Sequence, residues 1–409
     1  VVSNAPLSEA EIIDRLKVVE QYGSPSAAAR VLGISRDTLR HTLAQAAQRG
    51  LTAASVPTNE TERWKTKALA VQRELASIER DNISASEIRR TLYRLADITP
   101  DPPKWIATPT KAKAPGIPMT IWSDWHYGEV VFADQVGGVN SFDRAVAKTR
   151  VKRLVDSTMD LCFNHMVNPS YPGIIVCLGG DMISGSIHDE LRETNDGPVQ
   201  MSLLEVQEQL IMGLTAMAEK FGKVFVPCVV GNHGRTTLKP RAKNRVFESY
   251  EWNLYCQLER YFANDRRVQF AIPNEADVHF NVLGHRFCLT HGDTLGVKGG
   301  DGIIGAIGPI TRGAIKVGRS SAQLGRDFDT LLMGHWHSYV ARGDTTPVIV
   351  NGSLKGYDEY ARLMLRVPYS VPSQALWFVH GKYGITAQWR VLLEERKKTG
   401  PDDWVTWQK

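Results

Sequence analysis

Cysteine is scarce in this chain and poorly placed for metal or redox work. Cys162, Cys177, Cys228, Cys256 and Cys288 lie far apart, mostly inside apolar stretches, and none forms a C-x-x-C pair. That excludes a zinc ribbon and a dithiol redox motif, and an odd set of thiols suits a reducing compartment better than a disulfide framework. Long apolar runs are missing too, so no membrane span and no membrane partner are expected. The opening VVSNAPLSEAEIIDRL has no basic stretch leading into an apolar one, so a cytoplasmic protein is expected rather than a secreted one. No internal repeat or long low-complexity tract is present. No G-x-S-x-G elbow appears, nor a cysteine beside a plausible base, so no protein nucleophile presents itself. A net charge of +5 over 409 residues permits a polyanionic partner without requiring one. With 43% hydrophobic and 23% charged residues, the remainder has the make-up of a folded protein with two or three domains.

Three segments separate by pattern. Residues 1–55 read as all-helical. Within them, GSPSAAARVLGISRDTLRHTLAQ gives a helix opening at Pro25, a turn at Gly33 and a second helix capped by Ser35 that carries Arg36, Arg40 and His41 on polar positions. Small Ala29, the glycine turn and apolar Ile34 and Leu39 resemble a DNA-binding helix-turn-helix, with a helical hairpin for protein contacts as the alternative. Residues 56–118 form a helical spacer and a linker. Trp64, Leu69, Val71, Leu75, Ile78, Ile83, Ile88, Leu92 and Leu95 recur at helical spacing over 61–96, a spacer or a surface for homo-oligomerisation. The run TPDPPKWIATPTKAKAPGIP then breaks every regular element. Residues 119–409 alternate short β-branched runs (MTIW, GIIVCL, KVFVPCVV, RFCLTHG, TLLMG, PVIVNG) with helical stretches at Phe142–Met166, Pro198–Phe221 and Asn244–Phe262. That is the pattern of an α/β domain. Runs such as VHFNVLG that follow without helices predict a mixed or doubled sheet, which QALWFVH and TAQWRVLL complete.

In open α/β sheets, functional groups gather past the carboxyl ends of strands. Here that position carries candidate ligands five times: Asp124-Trp125-His126 after MTIW, Asp181 after GIIVCL, Asn232-His233 after VFVPCVV, His291-Gly292-Asp293 after RFCLT, and His335-Trp336-His337 after TLLM. Aspartate, histidine and asparagine are the oxygen and nitrogen donors that suit divalent manganese, iron, zinc or cobalt. On an extended strand tip, the first and third residues of D-x-H and H-x-H would face one side. One strand-end histidine alone is more often a hydrogen-bonded core residue. Five such loops in the same structural position point to a metal site. Trp125 and Trp336 either pack beneath these loops or stack on a base.

Read in order, DWHYG, GD, GNH, H and GHWH resemble the signature of the calcineurin-like metallophosphoesterases, over residues from about 119 to 355. The resemblance implies a β-sandwich flanked by helices, holding two divalent metal ions at its edge. Manganese is the expected ion, with iron, zinc, cobalt or nickel as alternatives. It implies that Asp124, His126 and His337 hold one ion, that Asn232, His291 and His335 hold the other, and that Asp181 bridges them. It implies hydrolysis by attack of a metal-activated hydroxide on phosphorus, with His233 contacting the phosphate and protonating the leaving oxygen. Many members of that family carry an acid directly after this histidine. Here Gly234 stands there, followed by Arg235, whose guanidinium could contact a phosphate in the catalytic loop instead.

The loop GRTTLKPRAKNR holds Arg235, Lys239, Arg241, Lys243 and Arg245 without an acid, which favours a nucleic-acid substrate over a solvated loop. The stretch ISGSIHDELRETNDGP brings His188, with Glu190 and Asn195, to the same mouth, to shape a pocket or to cap the next helix. With Arg36 and Arg40 in the helix-turn-helix, DNA is the expected partner, and the arrangement resembles phage and prophage phosphoesterases of the DNA-repair exonuclease branch. That resemblance implies a bacterial or phage-infected cytoplasm. The function expected is a metal-dependent DNA nuclease, exonuclease or endonuclease. The alternatives are a phosphomonoesterase or protein phosphatase, and a non-catalytic DNA-binding regulator.

Overall fold

A computed structural model of the protein describes residues 7–54, 116–295, 307–343 and 347–395. The chain divides into two compact units, Val1–Asp97 and Ile98–Lys409. The expected spacer helices over 61–96 and most of the proline-rich run lie outside the described residues.

In the first unit, α1 (Glu9–Tyr22), α2 (Pro25–Val31) and α3 (Arg36–Gln48) each begin behind a serine. Ser8, Ser24 and Ser35 accept the amide protons of Glu11, Ala27 and Thr38, and Glu11 returns the bond to Ser8 to complete a capping box. Gly33, at φ 65°, turns the chain between α2 and α3. The three helices close on Ala28, Ala29 and Leu39, joined by Val18, Val19, Leu32 and Ile34. Arg36, Arg40 and His41 remain exposed on α3.

The second unit holds two mixed sheets. The strands are β1 (Ile117–Trp122), β2 (Ile174–Leu178), β3 (Val224–Pro227), β4 (Val268–Ala271), β5 (Asp277–Val282), β6 (His285–Thr290), β7 (Thr330–Met333), β8 (Val340–Arg342), β9 (Val348–Val350), β10 (Ser373–His380) and β11 (Gly384–Leu392). One sheet runs β11-β10-β1-β2-β3-β4 and the other β5-β6-β7-β9-β8. β1 to β4 are parallel, and β10 returns antiparallel beside β1. β6, β7 and β9 are parallel, with β5 and β8 antiparallel at the edges. The doubled, mixed sheet expected from the helix-free runs is present.

Strand alternation explains the layering. Ile117, Met119 and Ile121 of β1, Ile175 and Cys177 of β2, and Trp377 of β10 share one core with Phe280, Phe287, Leu289, Leu332 and Ile349 of the other sheet. Their neighbours one residue along, such as Ile174, Val176, Leu178 and Phe378, face outward under helices. A period of two thus gives each strand two apolar faces, and the sheets meet face to face. The cover on the first sheet is α4 (Arg144–Asn164), α6 (Val199–Phe221) and α7 (Tyr250–Tyr261), with short α5 (Asp189–Thr194) before α6. On the second, α8 (Ile307–Gln323) lays Ile310 and Ala314 over Leu331, Met333, Val348 and Val350. Short α9 (Glu359–Leu363) precedes β10.

The third expected helix starts at Tyr250 rather than Asn244. Asn244 sits at φ 56°, outside helical space, and Ser249 caps the helix by accepting the Glu251 amide. Among the described residues, no helix is long and apolar enough to cross a membrane. Within the second sheet, Phe287 stacks on its cross-strand partner Phe280, ring centroids 5.6 Å apart, on the face turned to the first sheet. Phe287→Ala should therefore cost about 3–5 kcal/mol in a urea titration. A loss below about 1 kcal/mol would show that the sheet interface does not rest on this stack.

Candidate metal centre

The five loops identified from the sequence follow β1, β2, β3, β6 and β7, all at carboxyl ends. The D-x-H and H-x-H pairs are not extended strand tips, contrary to expectation. Asp124, His126, Asp181, His335 and His337 have φ of 54°, 46°, 51°, 67° and 51°. Nine non-glycine residues have positive φ among those described, and five of them are these candidate ligands. Left-handed backbone costs such residues about 1–3 kcal/mol each and persists only where the surroundings enforce it. The enforcement is visible. Asp124 and His126 donate their amides to Gly180 O and Asp181 O, both at 3.0 Å, and the His335 amide donates to Asp124 Oδ1 at 2.8 Å.

Two glycines clear the room for the carboxylates. A Cβ on Gly231 would stand 2.1 Å from Asp181 Oδ1, and one on Gly334 would stand 2.3 Å from Asp124 Oδ2. Any side chain at either position would push a carboxylate out of the centre.

The donors converge as three overlapping groups: Asp124 with His126 and His337, His126 with Asp181 and His233, and Asp181 with His291 and His335. His126 Nε2 lies 3.0 Å from His337 Nε2, and His337 Nε2 lies 3.4 Å from Asp124 Oδ1. His291 Nε2 lies 3.0 Å from Asp181 Oδ2 and 3.2 Å from Asn232 Oδ1. All seven residues expected to hold metal meet here, and His233 joins them. Its ring stands edge-on to that of His126, centroids 4.5 Å apart.

The chemistry of this donor set fits cations. His291 Nδ1 lies 2.8 Å from Gly179 O, so that nitrogen holds a proton, and in the neutral ring Nε2 presents a lone pair. Asp181 Oδ2 and Asn232 Oδ1 present lone pairs to the same point. Three acceptors within 3.2 Å repel unless something positive lies among them. A second proton on His291 can meet that demand as a cation would: burial alone would lower its pKa, yet the Asp181 carboxylate outweighs it and lifts the ring to about 10. His335 lacks such a contact, and burial with the neighbouring His291 brings it down to about 4. His126 Nδ1 and Asp181 Oδ2 are buried without an aligned hydrogen bond, which two groups this polar tolerate poorly.

Behind the donors stands a layer that the sequence did not reveal. Lys355, 3% exposed, has its ammonium 2.8 Å from Glu129 Oε1 and 2.5 Å from Asp358 Oδ2. The other oxygen of Glu129 lies 3.5 Å from His126 Nδ1 and accepts from Ser184 Oγ at 3.4 Å. Ser184 O in turn lies 2.8 Å from His233 Nδ1. A buried ion triad therefore braces both His126 and His233. On the far side, Asn351 Nδ2 donates to Ser123 Oγ at 2.8 Å, and Ser123 donates to Asp124 Oδ2. The departure at Gly234 has a steric reason: a Cβ there would meet Glu251 Cγ at 2.6 Å. Glu251 is buried and accepts the amides of Met182 and Gly231 at 2.6 and 2.7 Å, tying the Asp181 and Asn232 loops together. Burial and the nearby Asp181 hold its carboxyl up at about 7.

The remaining predicted residues divide. Arg235 spends its guanidinium on Asn232 O, Thr237 O and Leu238 O, all carbonyls of its own loop. Arg245 pairs with Asp293 at 2.8 Å, and Arg241 approaches Glu248 at 3.8 Å. Lys239 and Lys243 are exposed. His188 is exposed at the mouth, its ring centroid 6.1 Å from that of His233. Glu190 is exposed, while Asn195 staples the loop through Ser184 Oγ and Gly185 O. Trp125 is fully buried and Trp336 packs with the core beneath α8, so packing is their place.

No family model matches the chain, and no curated protein matches it. Among solved structures, it is similar to an archaeal phosphodiesterase, 12% identical over 67% of this chain and 99% of that one, at a TM-score of 0.32. A dimetal phosphatase from Danio rerio is 11% identical over 68% and 100%, also at 0.32. A predicted phosphoesterase from Streptococcus pneumoniae TIGR4 is 12% identical over 68% and 99%, at 0.26. With likenesses this faint, the reading of the site rests on its own geometry.

The ion triad yields a stability prediction with a definite sign. Burial would raise the Asp358 carboxyl, but Lys355 outweighs it and holds it at about 2, below the ordinary 3.8. A depressed carboxyl stabilises the fold above its unfolded pKa, and that stability drains as pH falls from about 4 to about 2, here roughly 2 kcal/mol. Lys355→Met should cost about 3–5 kcal/mol at neutral pH by stranding two buried carboxylates. It should also flatten stability across that acid window, as urea titrations at successive pH values would read. A variant that keeps the wild-type acid dependence would break this assignment.

Proposed function

We propose that this chain is a dimetal-dependent phosphoesterase that hydrolyses phosphodiester bonds, with DNA as the substrate that makes it a nuclease. The observation carrying this reading is the meeting of seven oxygen and nitrogen donors from five strand ends, in overlapping groups linked through His126 and Asp181. Asp124, His126 and His337 would hold one divalent ion, and Asn232, His291 and His335 the other, with manganese the expected metal. Such a pair of ions, when bound, polarises phosphoryl oxygens and lowers the pKa of water.

The chain's own residues position the rest. His233 donates its Nδ1 proton to Ser184 O and its amide to Asp181 Oδ1 at 2.7 Å, which leaves Nε2 as the atom free to meet a phosphoryl or leaving oxygen. Burial lowers this ring's pKa, while Asp181 and Glu129 pull the other way. Arg235 acts by holding the catalytic loop closed on itself, so phosphate contact falls to Lys239, Arg241 and Lys243. His188 stands at the entrance to this pocket. Exposed Arg36 and Arg40 on α3 support DNA contact by the N-terminal unit.

The direct test is metal-loaded protein on single- and double-stranded DNA, on p-nitrophenyl phosphate and on its bis-ester. Cleavage of DNA and of the diester is expected. Turnover of the monoester alone, with DNA intact, would replace the nuclease reading with a phosphatase. Roles can be separated by substitution. His126→Ala and Asp181→Ala should lose both metal and hydrolysis. His233→Ala should retain both ions by calorimetry yet lose turnover, most severely for poor leaving groups. Equal metal loss in all three would make His233 a ligand, in keeping with its place in the middle donor group.

A further inference from the structure

The helix α8 carries Arg312, Lys316 and Arg319 and no acid. These positions follow the i, i+4, i+7 rule, so the three cations line one face, and all three are exposed. The opposite face is fixed against the metal loops. Gly313 lies so close to Leu295 that a Cβ would stand 2.8 Å from the leucine Cβ, and Trp336, between His335 and His337, belongs to the same core as Ile310 and Ala314. Arg342, beyond the GHWH loop, donates to Thr311 Oγ1 of the helix at 2.6 Å.

The basic loop flanks the same half of the centre. It starts three residues past Asn232, and its Arg245 is anchored to Asp293, two residues past His291. The helix supplies three cations and loop 235–245 supplies five, more than the chain's whole net charge of +5, so the rest of the chain is net acidic. Positive charge is thus concentrated on two segments whose anchoring contacts reach the loops that carry Asn232, His291 and His335. Arg312 to Arg319 spans about 10 Å of helix, roughly the axial length of three nucleotides of one strand.

We infer that the outward face of α8 binds the phosphate backbone of a nucleic-acid strand and, with loop 235–245, leads it across the Asn232–His291–His335 half of the centre. This rests on the phosphoesterase reading for where the strand leads, but binding can be measured apart from it. Full-length protein in chelator, titrated with salt against a short fluorescent single-stranded oligonucleotide, supplies the readout. Replacing Arg312, Lys316 and Arg319 by Gln should lower the log–log salt slope by about 2 and weaken binding roughly ten- to a hundredfold at low salt. Arg312→Lys with Arg319→Lys should keep the slope. A control with Lys223, Arg266 and Lys382 changed to Gln removes equal charge at the amino ends of β3, β4 and β1, away from the centre, and should change binding little. Equal losses in both triple variants, or an unchanged slope in the first, would overturn the track. Preferential binding to anionic vesicles over the oligonucleotide would overturn it as well. Failure of the wild type to hydrolyse the bis-ester would instead sink the phosphoesterase reading and leave this comparison standing.

Discussion

The second unit answers to one electrostatic constraint: acceptor atoms are pressed together that repel unless a positive charge, a proton on His291 or a cation, lies among them. Asp181 Oδ2, Asn232 Oδ1 and His291 Nε2 point at a common place from three different loops. On the other side, two histidine Nε2 atoms stand 3.0 Å apart beside an aspartate. Left alone, such a set would spread, as each group sought water or a donor. It stays because left-handed backbone fixes where five of the seven donors emerge and the hydrogen bonds of the neighbouring loops fix the backbone.

The sandwich makes that affordable. Parallel strands deliver their carboxyl ends to one edge, so five loops far apart in sequence share one neighbourhood without long connections. The inter-sheet core supplies the burial that offsets the strain. Behind the loops, charges are buried only in balanced sets. Lys355 lies between Glu129 and Asp358, and Glu251 is held up toward neutrality while accepting two amides. A lone charge in either position would cost several kcal/mol.

Much of this could be read from the residues in order. Strand runs, helices and ligand-bearing loops are local patterns, and local patterns set the elements. The left-handed conformation of these Asp and His residues was not legible, because here distant partners enforce it. Glu129, Lys355 and Asp358 were missed for a related reason. Lys355 sits 226 residues from Glu129, and nothing in YGEVV or SLKGYDE marks them as one cluster. Arg235 shows the opposite case, a contact set the sequence could not give. Its place beside His233 suggested phosphate, but the tight loop offered carbonyls closer at hand.

The two halves of the centre differ in their surroundings, and that difference bears on how metal and substrate divide the work. Asp124 and His126 are sealed, backed by the ion triad and the Ser123–Asn351 pair, whereas the His337 side chain is 30% exposed. The other half is as buried at Asp181 and His291, with His335 partly exposed, so burial does not separate the two. What differs is the flank: beside Asn232, His291 and His335 lie a loop with exposed Lys239, Arg241 and Lys243 and a helix with exposed Arg312, Lys316 and Arg319, charges that cost little to keep there and act over about a Debye length. Such charges add little to holding a buried ion, and would oppose it. Their benefit comes only with an anion long enough to reach several of them at once. Under the proposed phosphoesterase reading, these charges are what favours a polymeric phosphodiester over a small monoester, on electrostatic grounds separate from the ligand set itself.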